Sequence, residues 1–481
     1  MIASQRFYDS YAGIISGATC TTRNAPAPTI RIISDNDGFS SLVREWESLE
    51  TISSSSIFQT FDWQFLWWKH FAASPANQLL ILLFSDGSEV AGIAPFFIQH
   101  YSFLGFKVFR KLKLLGSGLG YSGSPVLSLD STGPTDYLDV LIKPGHESRV
   151  AEALATFLHD FSYLWDEIEL QNIPGESNVY RHLVPILEAS NRPVIKEVSD
   201  ICPRVLLPDS VDKFMSSLKY SARRKLQNSR IQFLDNPECT VDEITTGADT
   251  DEAMDVLSSL HQRRWNRIGY PGLFSDKRFK AFQSELAGVM NRKGRLWLRI
   301  LRRNGKAISA RLCFKFKSEV YDYLSGFDTE YEGPSKNSPG LALVFSMISD
   351  SITSGLKIFD MIRGNEHYKL KLTPVVQNNW AIRVGSTRRT SFTRGFIFRI
   401  YELRCRIMSR VTCEKTILAL VTEEAGALRS IPLYLLHVLR RSSLFPATLT
   451  RFIDPNRKYA RQEQSTTQTN RIKTLSGNNV L

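Results

Sequence analysis

The densest polar run in the chain is FDMIRGNEHYK at 359–369. It reads as a strand carrying Asp360 into a turn at Gly364, with Arg363, Glu366, His367, Tyr368 and Lys369 crowded into seven positions. Carboxylates, a phenol and cations at a strand end can exchange protons and hold anions, as the rim of an active site does. A solvated surface loop would have the same composition. A second cluster is LKYSARRKL at 218–226. On a helix, Lys219, Arg223 and Arg230 fall close to one face, with Arg224 and Lys225 beside it. Such a cluster either clamps phosphates, Arg through its bidentate fork, or is simply a solvated face. A third feature is the loop GPSKNSPG at 333–340. Ser338 suits an N-cap and Pro339 the first helical position. The free N–H groups that follow make an anion site, or merely an ordinary helix start.

Other motifs carry less. GLGYSG at 118–123 fits the dinucleotide spacing, but SPVLSL follows and reads as extended. The fingerprint requires a helix there, so a flexible or substrate-facing loop is the better reading. No phosphate-binding P-loop, no nucleophile elbow and no HExxH pair occurs, and the eight histidines do not cluster like metal ligands. No metal is expected.

These residues sit on a mixed α+β framework. FQTFDWQFLWWKHF at 58–71 places aromatics at helical spacing, for core packing. Two β-rich runs flank Asp86-Gly87, and two more flank Asn304-Gly305, each a hairpin signal. TDYLDVLI at 135–142, WDEIELQNI at 165–173 and KIFDMIRG at 357–364 read as strands. Helices are predicted over 147–161, 177–189, 251–266, 276–292 and 339–354, with one long helix over 211–234. The two hairpins superimpose with Gly87 over Gly305 and Ala91 over Ser309. Both halves run helix, hairpin, strand, helix, strand. The chain therefore reads as two copies of one α/β unit in tandem.

Charge divides the chain differently. Its 481 residues carry a net +12, and from residue 376 onward there are 18 Lys/Arg against 6 Asp/Glu. The first 375 residues hold 42 of each sign and are neutral overall. A nucleic-acid-coating body would show a basic excess, and this one does not. The expected organisation is a leader over 1–28, units over 29–205 and 206–375, a basic helical extension over 376–455 and a disordered tail over 456–481. Six scattered cysteines without a CxxC pair fit a reducing cytoplasm. No signal-peptide pattern opens the chain, and no apolar run reaches bilayer length. In the extension, Arg alternates with Phe, Ile, Leu and Tyr. That suits a helix lying on anionic lipid at the inner membrane, packing against the body or a partner, or contact with tRNA.

Several of these motifs together resemble the bacterial CelD/BcsL-type acetyltransferases, a branch of the GNAT superfamily related to the FemAB peptidyl-transferases. The likeness runs from about residue 58 to 372. It rests on LKYSARRKL at 218–226, LHQRRW at 260–265, the GRLWL hairpin, YxYLSGFD at 321–328, SPGL at 338–341 and FDMIRGNEHYK. The resemblance implies tandem GNAT folds and transfer of an acyl group, usually acetyl from acyl-CoA, to an amine or hydroxyl on a small-molecule or saccharide-linked acceptor. Exopolysaccharide or envelope synthesis is the implied setting. In such folds two central strands splay, a backbone N–H in the gap stabilises the thioester oxyanion, and the pyrophosphate meets the next helix start. That strand would be 319–327, and that helix would begin at Pro339. The resemblance thus assigns Ser338, Pro339 and Gly340 to the donor's pyrophosphate, and Arg223 and Arg224 to phosphate on the donor or on a nucleotide-linked acceptor. Asp360, Glu366 or Tyr368 would position or deprotonate the acceptor, and Arg363 and Lys369 would bind anionic groups. The usual [QR]-x-x-G-x-[GA] loop is replaced by GPSKNSPG, so an aminoacyl-tRNA donor, as in FemAB relatives, or a non-catalytic GNAT-like scaffold stays open.

Overall fold

The computed structural model describes residues 27–385 apart from 104–105, 121–123, 125, 191, 245–246 and 332–337. The leader up to 26 and the basic segment from 386 lie outside the described residues, as do the last three positions of GLGYSG and most of GPSKNSPG.

In chain order the strands are β1 (Thr29–Ile33), β2 (Asn77–Asp86), β3 (Glu89–Phe103), β4 (Phe106–Leu114), β5 (Leu141–Ile142), β6 (Glu167–Pro174) and β7 (Val194–Leu206). Then come β8 (Cys239–Ile244), β9 (Leu296–Arg303), β10 (Lys306–Phe316), β11 (Glu319–Phe327), β12 (Ile358–Asp360) and β13 (Val376–Gly385). They form one 13-stranded sheet in the order β1-β2-β3-β4-β6-β13-β7-β12-β11-β10-β9-β8, with β5 on β3. The duplication is visible in this order. β1 to β4 pair antiparallel in sequence and β4 then meets β6 in parallel. β8 to β11 repeat the antiparallel run and β11 meets β12 in parallel. The chain is a mixed α/β protein built from two copies of one unit.

The units exchange their final strands. β7 follows β6 in the chain but pairs with β12 of the second unit, with Arg204 opposite Asp360. β13 follows β12 but pairs with β6 of the first unit, and β7 and β13 run antiparallel to each other. This corrects the predicted helical extension from 376. Residues 376–385 are an interior strand, and the alternation that buries Ile382 and Val384 is a strand signature.

Two further expectations change. The helix predicted over 211–234 is two helices, Val211–Ser217 and Tyr220–Phe233, because Leu218 and Lys219 are extended. Arg223 closes the break by donating to the carbonyls of Ser216 and Leu218. TDYLDVLI forms a strand only at Leu141–Ile142. Its earlier residues are held by scattered bonds instead of a ladder: Asn172 Nδ2 donates to the Thr135 carbonyl, the Leu138 amide donates to the Asn172 carbonyl, and Asp139 accepts from the amides of Asn178 and Val179, while Tyr137 takes a left-handed φ of 52°. The hairpins form as predicted, with Asn304 and Gly305 both at positive φ (49° and 77°), the geometry a tight two-residue turn requires. The aromatics at 58–68 pack as core across both units: Trp63 meets Phe282 and Tyr323 at ring distances of 5.5 and 5.2 Å.

Candidate active site

The pairing of β11 with β12 ends at Tyr321 opposite Asp360. β11 runs on to Phe327 held only by β10, across a bulge at Leu312/Cys313. Among the described residues, the other edge of 322–327 has no strand partner. It faces a cleft of about 730 Å³. Asp322, Tyr323, Ser325 and Phe327 form one wall, and Ser338, Gly340 and Val344 at the start of helix Pro339–Thr353 form the next. His261, Arg264 and Trp265 come from helix Gly247–Arg267, and Lys225 from helix Tyr220–Phe233. The first unit contributes Ser128, Gly133, Pro134 and Asp136.

Six of the sequence-assigned residues line this cleft: Ser338, Gly340, Arg363, Glu366, Tyr368 and Lys369. The helix starts as expected, with Ser338 extended at the N-cap and Pro339 first in the helix. Gly340 sits against the end of β11, where an added Cβ would stand 3.1 Å from Phe327. Lys369 bridges from its Nζ to Glu366 Oε2 at 3.1 Å and to the Arg363 carbonyl at 2.9 Å, which fastens the turn after β12. Gly364 is required in that turn. Its φ is +132°, and a Cβ would collide with Glu366 Oε2 at 2.1 Å. Burial pushes the Tyr368 phenol above its usual value, against the pull of Arg311.

Four assigned residues stand elsewhere. Arg223 is committed to backbone carbonyls at the helix break, Arg224 is exposed, and neither lines the cleft, whereas their neighbour Lys225 does. Pro339 is buried in the helix start without lining the cleft. Asp360 is fully buried beneath the cleft. It accepts from the Tyr137 hydroxyl and the Ile362 amide, both at 2.7 Å, and lies 2.9 Å from Arg204 Nε. Burial pushes its carboxyl up to about 7 despite these three partners. Held in this way, Asp360 braces the strand junction and, unlike Asp136, is not among the residues that line the cleft.

Sequence reasoning missed three cleft groups. Arg311 on β10 binds both oxygens of Asp322 on β11 at 2.5 Å, an ion pair buried inside the second unit. Asp322 is the unassigned x of YxYLSGFD, and Arg311 is a lone charge in the apolar run ISARLCF; those were the available signals. The third is Asp136, on a segment of the first unit clamped almost residue by residue. Asn172 Nδ2 donates to the carbonyls of Thr132 and Thr135, and Trp63 Nε1 donates to the Thr135 hydroxyl. Arg363 Nη2 donates to the Gly133 carbonyl at 2.6 Å and Tyr323 to that of Pro134 at 2.7 Å. Tyr137 donates to Asp360. The first unit therefore builds one wall of the second unit's cleft. No group of His, Cys, Asp and Glu among the described residues is arranged to hold a metal.

Residues 220–370 match the acetyltransferase (GNAT) domain family. Similar solved structures include FemX, at 10% identity with a TM-score of 0.50, covering 74% of this chain and 96% of FemX. They also include L-PGS from Bacillus licheniformis, at 10% identity and a TM-score of 0.42, covering 74% and 96%. A tandem GNAT protein from the clavulanic acid biosynthesis pathway follows at 10% and 0.39, covering 75% of this chain and 100% of that one. No curated protein matches. At such identity the FemX likeness concerns fold alone, and it spans both units. The GNAT domain match covers most of the second unit, where the cleft lies.

Proposed function

We propose that this chain transfers an acyl group, acetyl in the first instance, from acyl-CoA to an amine or hydroxyl acceptor in the cleft beside β11. The observation that carries this reading is the unpaired edge of β11 from 322 to 327, running into the N-terminus of helix Pro339–Thr353. A pantetheine amide chain can add to that edge as a further strand would, and a pyrophosphate suits the helix start. The cleft fits such a donor: it is large enough, and Lys225 and Arg264 bring cations to its lining. Bound there, the thioester supplies an activated carbonyl. The chain's own part is to hold it in line with the acceptor, to donate backbone N–H groups to its oxygen and to take up the acceptor's proton.

The CelD/BcsL resemblance supports a saccharide-linked acceptor in exopolysaccharide or envelope synthesis, and the basic segment from 386 suits peripheral contact with anionic lipid. Among the described residues, no helix is long and apolar enough to cross a membrane. The loop GPSKNSPG favours one second reading, an aminoacyl-tRNA donor. Isothermal titration with acetyl-CoA, longer acyl-CoAs and aminoacyl-tRNA separates the two. Saturable binding of an acyl-CoA supports the first reading; binding of aminoacyl-tRNA alone replaces it; binding of none leaves a scaffold.

A further inference from the structure

Three carboxylates line the cleft: Asp322, Glu366 and Asp136. Asp322 gives both oxygens to Arg311. The Glu366 side chain is 53% exposed and is bound through Oε2 to Lys369. Asp136 differs from both. Its side chain is 1% exposed, and neither oxygen accepts a hydrogen bond among the described residues. Arg363 Nε lies 3.2 Å from Oδ1, close enough for charge attraction but out of line for a hydrogen bond, and Arg363 Nη1 is likewise buried without an acceptor. A buried carboxylate with both oxygens unbonded is costly and calls for a missing donor. The clamp described above holds it in place against that cost.

We propose that Asp136, supplied by the first unit, takes the proton from the acceptor nucleophile during acyl transfer in the second unit's cleft. This rests on the acyl-CoA reading above. The acceptor's N–H or O–H donates to the unbonded carboxylate. That bond breaks toward Asp136, the freed electron pair forms the bond to the thioester carbonyl carbon, and the C–S bond breaks with its pair on sulfur. Asp136 gives up the proton it took and the thiolate takes one up, directly or through solvent, so the sum is acylated acceptor plus free thiol with the carboxylate restored. The charged and titratable groups around Asp136 are Arg363 and Lys369 from the turn after β12, Asp200 and Cys202 on β7, Tyr323 on β11, and its neighbour Tyr137. Burial raises the carboxyl above its ordinary value and Arg363 opposes this, which moves the group toward the range a base needs near neutral pH.

The test uses the full chain with acetyl-CoA, following thiol release with glucosamine, ethanolamine or water as the probe acceptor. D136N is expected to lower kcat about 100-fold or more while acetyl-CoA affinity by titration stays within about twofold. D136A is expected to regain activity with added formate, which a merely structural carboxylate would not allow. D136E, which keeps the charge should the others fail to fold, is expected to keep the acid limb of the pH–rate profile. Wild-type-like kcat in folded D136N, or a D136A loss that formate does not relieve, overturns the assignment to Asp136 alone. Absence of thiol release by the wild type with every probe overturns the acyl-CoA reading and this assignment with it.

Discussion

The Tyr137 hydroxyl donates to Asp360 Oδ1 at 2.7 Å, joining residues 223 positions apart and belonging to different units. One sits on the clamped segment beside Asp136, the other where the two central strands of the second unit part. Tyr137→Phe removes this buried donor. It is expected to cost about 1–2 kcal/mol, read as a shift in urea midpoint at unchanged slope. Because Asp136 is its chain neighbour, catalytic turnover is expected to fall further than the stability loss alone would bring.

His261 gives the chain an acid-sensitive point. It is 3% exposed, and burial holds its imidazole down at about 4. The unfolded ring, with its ordinary value near 6.5, binds a proton where the folded ring does not. Folding stability is therefore intact above about pH 6.5 and is lost as pH falls from there toward 4. The full loss is about 3 kcal/mol from this residue. His261→Gln is expected to flatten that part of the curve, as checked by urea unfolding at pH 7.5 and pH 5.

The basic cluster makes opposite predictions for adjacent residues. Lys225 and Arg264 line the cleft; Arg224 is exposed and does not. Lys225→Ala and Arg264→Ala are each expected to weaken acetyl-CoA binding about tenfold, or ~1.4 kcal/mol, with the effect shrinking at high salt. Arg224→Ala is expected to leave it within about twofold. Isothermal titration distinguishes them.

A truncation that probes the basic segment must respect β13. A chain ending at 375 lacks the strand between β6 and β7 and is expected to lose its cooperative unfolding transition. A chain ending at 385 is expected to keep it. The 1–385 chain, compared with the full chain in liposome co-sedimentation on anionic vesicles, is then expected to pellet less.

Local signals were legible where local chemistry decides the structure. Asn304-Gly305 names its turn, Pro339 names its helix start, and the crowded polar run at 359–369 does line a cleft. What stayed hidden depends on contacts between distant segments. Nothing in VQNNWAIRV tells which strands it will join, although its alternation marks it as a strand. Asp136 sits in a run whose alternation also reads as a strand; only the bonds from Asn172, Tyr323 and Arg363 make it a bent wall of the cleft. Asp360 and Asp322 look alike in sequence as acids within apolar and aromatic strand runs, yet one is buried under the junction and the other lines the cleft against Arg311. Such differences arise from desolvation, which residue order does not encode locally.

The exchange of β7 and β13 also bears on biogenesis. The first unit's sheet ends at β6 until residues 376–385 arrive, so an emerging chain leaves that edge open through the synthesis of the whole second unit. The first unit therefore cannot complete its sheet before the second has been made. A cell making this protein holds a half-built sheet from the completion of β6 at Pro174 until β13 begins at Val376, which marks this interval as the one in which a holdase chaperone would matter most.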